Sequence, residues 1–171
     1  MSARVGLLGL GSNLGGRHDH LQAAVDALPR AGVTVLASSS VYDTDPVGEV
    51  TDQAPFLNAC LRVQTGLEPL ALLDAVKGLE RDLGRAAGGV RHGPRAIDID
   101  ILLLGDVTLR HDRLEVPHPQ LLARRFVLIP ALELDFASST PAGERLADAL
   151  AALPLQEGVR WVGDPLRVPD G

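Results

Sequence analysis

Aromatic side chains are scarce in this chain: three phenylalanines, Tyr42 and Trp161 make up 3% of its 171 residues. A surface that stacks nucleobases needs several exposed rings and a positive field. With few rings and a net charge of −6, nucleic acid and anionic membranes are poor partners. Cysteine is rarer still. Cys60 stands alone in the context Leu57-Asn58-Ala59-Cys60-Leu61, which excludes an internal disulfide and a cysteine-based zinc site. It reads as a core thiol of a cytosolic protein. Of the 16 basic residues only Lys77 is a lysine, a bias that codon usage explains, so each arginine has to be argued from its position. No apolar stretch is long enough to span a bilayer. The run over residues 5–10 is too short for a signal peptide and meets glycines at once. There is no internal repeat and no low-complexity segment. A cytoplasmic protein with small-molecule partners is expected.

What remains is an ordinary globular composition, 46% hydrophobic and 22% charged. At this length one domain is expected over 1–171, with its core at about 4–134 and a C-terminal helix and tail at 135–171.

The most informative stretch is Gly93-Pro94-Arg95-Ala96-Ile97-Asp98-Ile99-Asp100-Ile101-Leu102-Leu103-Leu104-Gly105. Its alternation predicts a strand with the isoleucines on one face and Asp98 and Asp100 on the other. Residues two apart on a strand lie roughly 6.5–7 Å apart and point the same way. Asp is disfavoured in strands. Two on one face have a use if they hold a hard divalent cation such as Mg²⁺, which takes carboxylate and phosphate oxygens; otherwise they are surface acids on a solvated face. Arg95, three residues before Asp98, suits phosphate. The loop 84–95 before it carries four glycines and three arginines. Glycines permit motion and arginines give bidentate phosphate contacts, so the loop reads as a mobile anion-binding lid.

The rest of the chain reads as strand 4–10, helix 17–28, strand 33–42, strand 56–65, helix 68–83 with Gly84 as its C-cap, and then the aspartate strand. The spacing of Gly9, Gly11 and Gly15 is not a dinucleotide fingerprint, and the segment reads as a tight strand-to-helix turn. A short return at 107–110 follows, then a short helix at 121–126, apolar packing at 127–134 and a last helix at 142–153; the tail 159–171 reads as frayed. His118 lies between Pro117 and Pro119, and a rigid imidazole beside phosphate is a useful donor. The order strand, helix, strand, strand, helix, strand is that of an α+β, ferredoxin-like sandwich: an antiparallel sheet with helices packed on one face, here with a C-terminal extension.

Taken together, the motifs resemble those of the 6-hydroxymethyl-7,8-dihydropterin pyrophosphokinases of the folate pathway. The resemblance runs from about Val5 to about Leu134. It rests on Gly11-Ser12-Asn13-Leu14, Ser39-Ser40-Val41-Tyr42-Asp43-Thr44-Asp45-Pro46, Phe56-Leu57-Asn58-Ala59, the aspartate strand, Val116-Pro117-His118-Pro119 and Arg124-Arg125-Phe126-Val127-Leu128. It implies transfer of the terminal pyrophosphoryl group of ATP to the pterin's hydroxymethyl oxygen, with AMP as the other product. It also implies two Mg²⁺ ions with ATP, held by Asp98 and Asp100, which with Arg85 and Arg95 form the catalytic set. Thr44, Pro46, Val47, Gly48, Asn58 and Asp98 correspond to pterin-binding positions, and Phe56 and Phe126 to the rings that sandwich it. Lys77, Glu80, Arg85, His92, Arg95, Ile101, Arg113, His118 and Arg124 correspond to the ATP side. The chain departs from the pattern at His92, where a tryptophan can occur, at Ala87, where an arginine can occur, and at Lys77, where a glutamine can occur. The implied enzyme works as a monomer without nucleic acid or membrane. Two alternatives stay open: another metal-dependent phosphoryl or nucleotidyl transferase on the same scaffold, and a ferredoxin-like RNA-binding module, against which the charge and the few rings speak.

Overall fold

Glycine-rich β1 (Arg4–Ser12) is the axis of the fold, flanked on both sides by antiparallel strands. The computed structural model describes residues 3–45, 54–86, 96–154 and 158–169, with the side chains of residues 85 and 86 outside that description. After β1 come α1 (Arg17–Ala27), β2 (Thr34–Ser38), β3 (Val41–Thr44), β4 (Phe56–Thr65), α2 (Pro69–Ala86) and β5 (Asp98–Leu104). The short pair β6 (Leu109–Arg110) and β7 (Glu115–Val116) follows, then α3 (Arg125–Leu134), α4 (Leu146–Ala152) and β8 (Val159–Gly163). The main sheet runs β5-β1-β4-β3-β8, with β2 also paired to β4, and every pairing is antiparallel. This is the expected α+β, ferredoxin-like arrangement.

Period-two alternation divides the strand residues between two cores. On one face Leu8, Leu10, Leu61, Val63, Ile99 and Ile101 meet Leu21 and Val25 of α1 and Leu72 and Val76 of α2. Each of these large side chains contributes about 1.5–3 kcal/mol by leaving water. On the other face Leu7, Cys60, Leu102 and Leu103 meet Leu121, Leu128, Leu132 and Leu146. A bulge makes this second core possible. Leu8 pairs with Ile101 and Leu7 with Leu103, so Leu102 is an extra residue in β5 and two successive leucines serve the same core.

Several sequence expectations need correction. Helices cover both faces of the sheet, not one, because the C-terminal part supplies the second layer. The strand expected over 33–42 is two strands. Ser39 Oγ accepts the Cys60 N–H at 2.8 Å, and Glu133 of α3 accepts the Ser40 N–H at 2.9 Å, the Ser40 hydroxyl at 2.8 Å and the Tyr42 hydroxyl at 2.7 Å. Burial, then the Glu133 bond and charge, push the Tyr42 hydroxyl well above its ordinary pKa. The second helix runs past Gly84 to Ala86. The helix expected over 121–126 is interrupted at Arg124, whose backbone is extended: Leu121–Ala123 form a 3₁₀ turn, and Arg125 and Phe126 begin helix α3, which also takes in residues 127–134. The last helix is shortened to Leu146–Ala152. The tail is not frayed at 159–163; β8 extends the sheet.

Candidate active site

The second face of the sheet is only partly covered, and the uncovered part is where the chemistry-bearing residues gather. In register, Gly9 stands between Cys60 of β4 and Asp100 of β5, and Gly11 between Asn58 and Asp98. Two missing side chains on the central strand leave a trough between an amide and thiol on one side and two carboxylates on the other. Gly9 and Gly11 therefore lie inside β1 and not in the turn that the sequence suggested. A cavity of about 190 Å³ occupies the trough, with Thr44, Asp45, Phe56, Asn58, Asp98, Asp100, Arg124 and Phe126 among its lining residues. A Cβ at Gly11 would stand 3.0 Å from Asn58 Nδ2 and 3.5 Å from Phe56 Cδ1, so the glycine holds this floor open.

The walls are fixed before any ligand arrives. Thr44 Oγ1 donates to Asn58 Oδ1 at 2.6 Å, and Asn58 Nδ2 donates to the Leu10 carbonyl at 3.3 Å, which sets the orientation of the buried amide. One amide N–H and one oxygen lone pair remain for a ligand. Phe56 begins β4 and Phe126 sits in the first turn of α3. The Arg124 guanidinium lies 5.6 Å from the Phe126 ring centroid, a cation–π contact.

A second cavity, about 280 Å³, is lined by Leu73, Lys77, Ile99, Asp100, Ile101, the run His111-Asp112-Arg113-Leu114-Glu115, His118 and Pro119. Among the described residues, Asp100 is common to both linings. His118 Nδ1 accepts the Gln120 N–H at 3.0 Å, so the neutral ring carries its proton on Nε2. Burial lowers the His118 pKa, helped by the Arg124 and Lys77 cations and opposed by Asp100 and Glu115. His111 Nδ1 likewise accepts the Arg113 N–H, at 3.1 Å. Arg113 itself pairs with Asp74. Lys77 and Glu80 act on the outer edge of β5. Glu80 Oε2 accepts the Ile99 N–H at 2.6 Å, while Lys77 Nζ reaches the same Glu80 oxygen at 3.0 Å and the Ile99 carbonyl at 3.2 Å. Ile99 is the residue between the two aspartates, so this clamp holds the strand that presents them.

The donor set suits a hard cation brought by a ligand. Asp98 is half-buried and Asp100 exposed on one strand face, and among the described residues no third His, Cys, Asp or Glu joins them in a metal-binding group. Two carboxylates leave most of an octahedral sphere to phosphate oxygens and water, the usual manner for Mg²⁺.

Of the expected pterin residues, Thr44, Phe56, Asn58, Asp98 and Phe126 come together at the first cavity. Of the expected ATP residues, Lys77, Ile101, Arg113 and His118 line the second. Arg124 differs: it lines the first cavity, beside Phe126. Glu80 lines neither cavity and holds Ile99 instead. Pro46, Val47, Gly48, His92 and Arg95, the side chain of Arg85 and the proposed lid beyond Ala86 lie outside the described residues. The sequence reading missed Gly9, Gly11, Asp45 and His111. The charged triplet His111-Asp112-Arg113 was the one signal that pointed to the last of them.

A family model described as 7,8-dihydro-6-hydroxymethylpterin-pyrophosphokinase (HPPK) matches residues 7–136. The chain is 41% identical over 157 residues to the 2-amino-4-hydroxy-6-hydroxymethyldihydropteridine pyrophosphokinase of Bacillus subtilis, covering 91% of this chain and 89% of that protein. It is 43% identical over 148 residues to the Pseudomonas aeruginosa protein of the same name, covering 86% and 90%. A mitochondrial folate synthesis bifunctional protein of Arabidopsis thaliana is 44% identical over 128 residues, which are 75% of this chain and only 23% of the plant protein. In fold, the chain is similar to Plasmodium falciparum HPPK-DHPS, wild type with pteroate, at a TM-score of 0.70 and 14% identity, covering 88% of this chain and 44% of that one.

Proposed function

The chain belongs to the 7,8-dihydro-6-hydroxymethylpterin-pyrophosphokinase family, and from that premise we propose that it transfers pyrophosphate from ATP to 6-hydroxymethyl-7,8-dihydropterin in folate biosynthesis, releasing AMP. The observation that carries this reading is Asp100. It lines both cavities, so an acceptor in one and a nucleotide in the other meet at a carboxylate.

The first cavity suits a flat ring rich in donors and acceptors. Phe56 and Phe126 offer two aromatic faces, and the fixed Asn58 amide pairs with the ring edge. The second cavity takes the nucleotide, with Arg113 and His118 toward its phosphates. Asp98 and Asp100 would hold two Mg²⁺ ions together with ATP. When bound, these ions supply charge neutralisation and activation of the β-phosphorus. Positioning does most of the remaining work in such transfers. The hydroxymethyl oxygen bonds to the β-phosphorus, the bond from that phosphorus to the α-bridging oxygen breaks, and the β and γ groups move together. Asp98 lines the first cavity and would ease loss of the hydroxyl proton. The Nε2–H of neutral His118 donates to the charge developing on the departing AMP. Arg85 and Arg95 add positive charge to the phosphates by family correspondence. Both cavities are built by one chain, in keeping with a monomer. The single buried free thiol is in keeping with the cytoplasm; no helix of the described residues is long and apolar enough to cross a membrane.

Chromatography of the nucleotide products tests the reaction. Purified protein given MgATP and the pterin should release AMP, with a pyrophosphorylated pterin in equal amount. ADP with a monophosphorylated pterin would place the chain among other phosphoryl transferases. No pterin-dependent loss of ATP would reject the reading.

A further inference from the structure

We propose that the C-terminal strand β8 is a working part of the acceptor pocket, with Arg160 as its positioning residue. This rests on reading the first cavity as the pterin site. β8 lies beyond the residues that the family model matches. It pairs with β3 so that Asp43 faces Arg160 and Thr44 faces Val159, and the Asp45 N–H donates to the Gly158 carbonyl at 3.0 Å. The pairing puts one guanidinium between two carboxylates that flank Thr44. Arg160 lies 3.1 Å from Asp45 Oδ1 and 3.7 Å from Asp43 Oδ1.

Asp43 Oδ1 is buried and, among the described residues, receives no hydrogen bond. Its compensation comes from two cations: Arg160, and Arg17 of α1 at 3.6 Å. Arg17 also donates to the Pro55 carbonyl at 2.9 Å, immediately before Phe56. One network thus ties β8 and α1 to both ends of the pocket wall, Thr44-Asp45 and Phe56. β8 is itself pinned from its far end. Leu166 is buried in the first-face core and its N–H donates to Ser38 Oγ at 3.2 Å; Arg167 and Gln22 exchange two hydrogen bonds of 2.9 Å.

Asp45 makes this arrangement matter for the substrate. It lines the acceptor cavity, where Asp98 and Asp100 already supply negative charge that must receive a polyphosphate. Arg160 neutralises Asp45 and keeps its carboxylate at the rim. The pair is about half exposed, with side-chain exposures of 51% and 53%, so it adds little to stability. Its role is placement. Without Arg160 the Asp45 carboxylate is free to turn over the ring-binding floor.

Steady-state kinetics of the full chain tests this with Arg160→Ala and Arg160→Gln. Each should raise the pterin KM at least about fivefold and keep the ATP KM within about twofold, with only a small fall in melting temperature because Arg17 still faces Asp43. Adding Asp45→Ala to Arg160→Ala should return the pterin KM to near its original value, because the released carboxylate is the obstacle. An unchanged pterin KM, a parallel rise of both KM values with a lower melting temperature, or no restoration by Asp45→Ala would overturn the proposal. Wild-type protein is assayed first. If it yields no AMP, the pyrophosphokinase reading fails, and fluorescence titration of the pterin in the presence of an ATP analogue carries the same comparison of variants without turnover.

Discussion

Gly9 and Asp100 stand opposite each other across β1 and β5 and both line the first cavity, where a Cβ at Gly9 would come within 3.4 Å of Leu102. Gly11 and Asp98 repeat the relationship two residues on. A side chain on the central strand at either position would stand between the carboxylates and the Asn58 side of the trough. The acids and the glycines are therefore one feature.

Gly11→Val should close that trough. The new Cβ would approach Asn58 Nδ2 to 3.0 Å before the two methyl groups are placed, so the amide or Phe56 must move. Pterin affinity should fall at least about tenfold, roughly 1.4 kcal/mol, while affinity for an ATP analogue stays within about twofold. Calorimetric titration of each ligand decides this. Equal losses for both would show that the fold, not the pocket, had been damaged.

Asp98→Asn and Asp100→Asn should each lower turnover on the order of a hundredfold or more and raise the Mg²⁺ concentration needed for half-maximal activity. Neither residue is part of the apolar cores, so the melting temperature should hold. Activity kept within a few-fold in either variant would remove that carboxylate from the metal site.

The aspartate strand was legible because burial on one face and acids on the other leave a period-two pattern in the sequence. The glycine floor was not. A missing side chain has no periodicity, and glycines just before a helix look like a turn. Helix α3 was obscured by Pro130, yet Leu128, Ala131 and Leu132 are buried in the second-face core and hold the helix despite the lost N–H. The break at Ser39-Ser40 depends on Glu133, 93 residues away from Ser40. β8 depends on β3, with Arg160 meeting Asp45 across 115 residues. Local composition carries no mark of such partners. The same limit hid Arg124's placement: its neighbours in sequence say nothing of which cavity it faces.

Cys60 lines the first cavity, yet its thiol should be inert in the folded protein. Burial pushes its pKa up to about 12, against about 8.5 in an unfolded chain. The folded state keeps its proton where the unfolded state releases it. The thiol's contribution to stability is complete below the unfolded value and is lost as pH rises toward the folded one. At pH 8 iodoacetamide should label Cys60 only as fast as the protein opens, and labelling should accelerate with added denaturant. Mass spectrometry reads the modification. Fast, stoichiometric labelling under native conditions would contradict the assignment.

Glu80 separates two readings of the nucleotide side. By family correspondence it is a nucleotide contact, whereas the geometry gives its carboxylate to the Ile99 N–H at 2.6 Å, with Lys77 closing the bridge to the Ile99 carbonyl. Among the described residues β5 is an edge strand, with no neighbouring strand to supply those bonds. Ile99 is fully buried, and removing the acceptor leaves its N–H unsatisfied at a cost of about 1–3 kcal/mol. For a chain of this size that corresponds to a fall in melting temperature of roughly 2–10 °C. Because Ile99 joins Asp98 to Asp100, the loss should also disturb the spacing of the two carboxylates. Glu80→Ala is therefore expected to lower both the melting temperature and kcat and to raise the Mg²⁺ requirement. Glu80→Gln keeps an acceptor oxygen and should recover most of the stability. Differential scanning calorimetry beside steady-state kinetics makes the distinction. A Glu80→Ala protein with unchanged stability, unchanged Mg²⁺ dependence and a raised ATP KM alone would show that Glu80 binds the nucleotide and does not hold the strand.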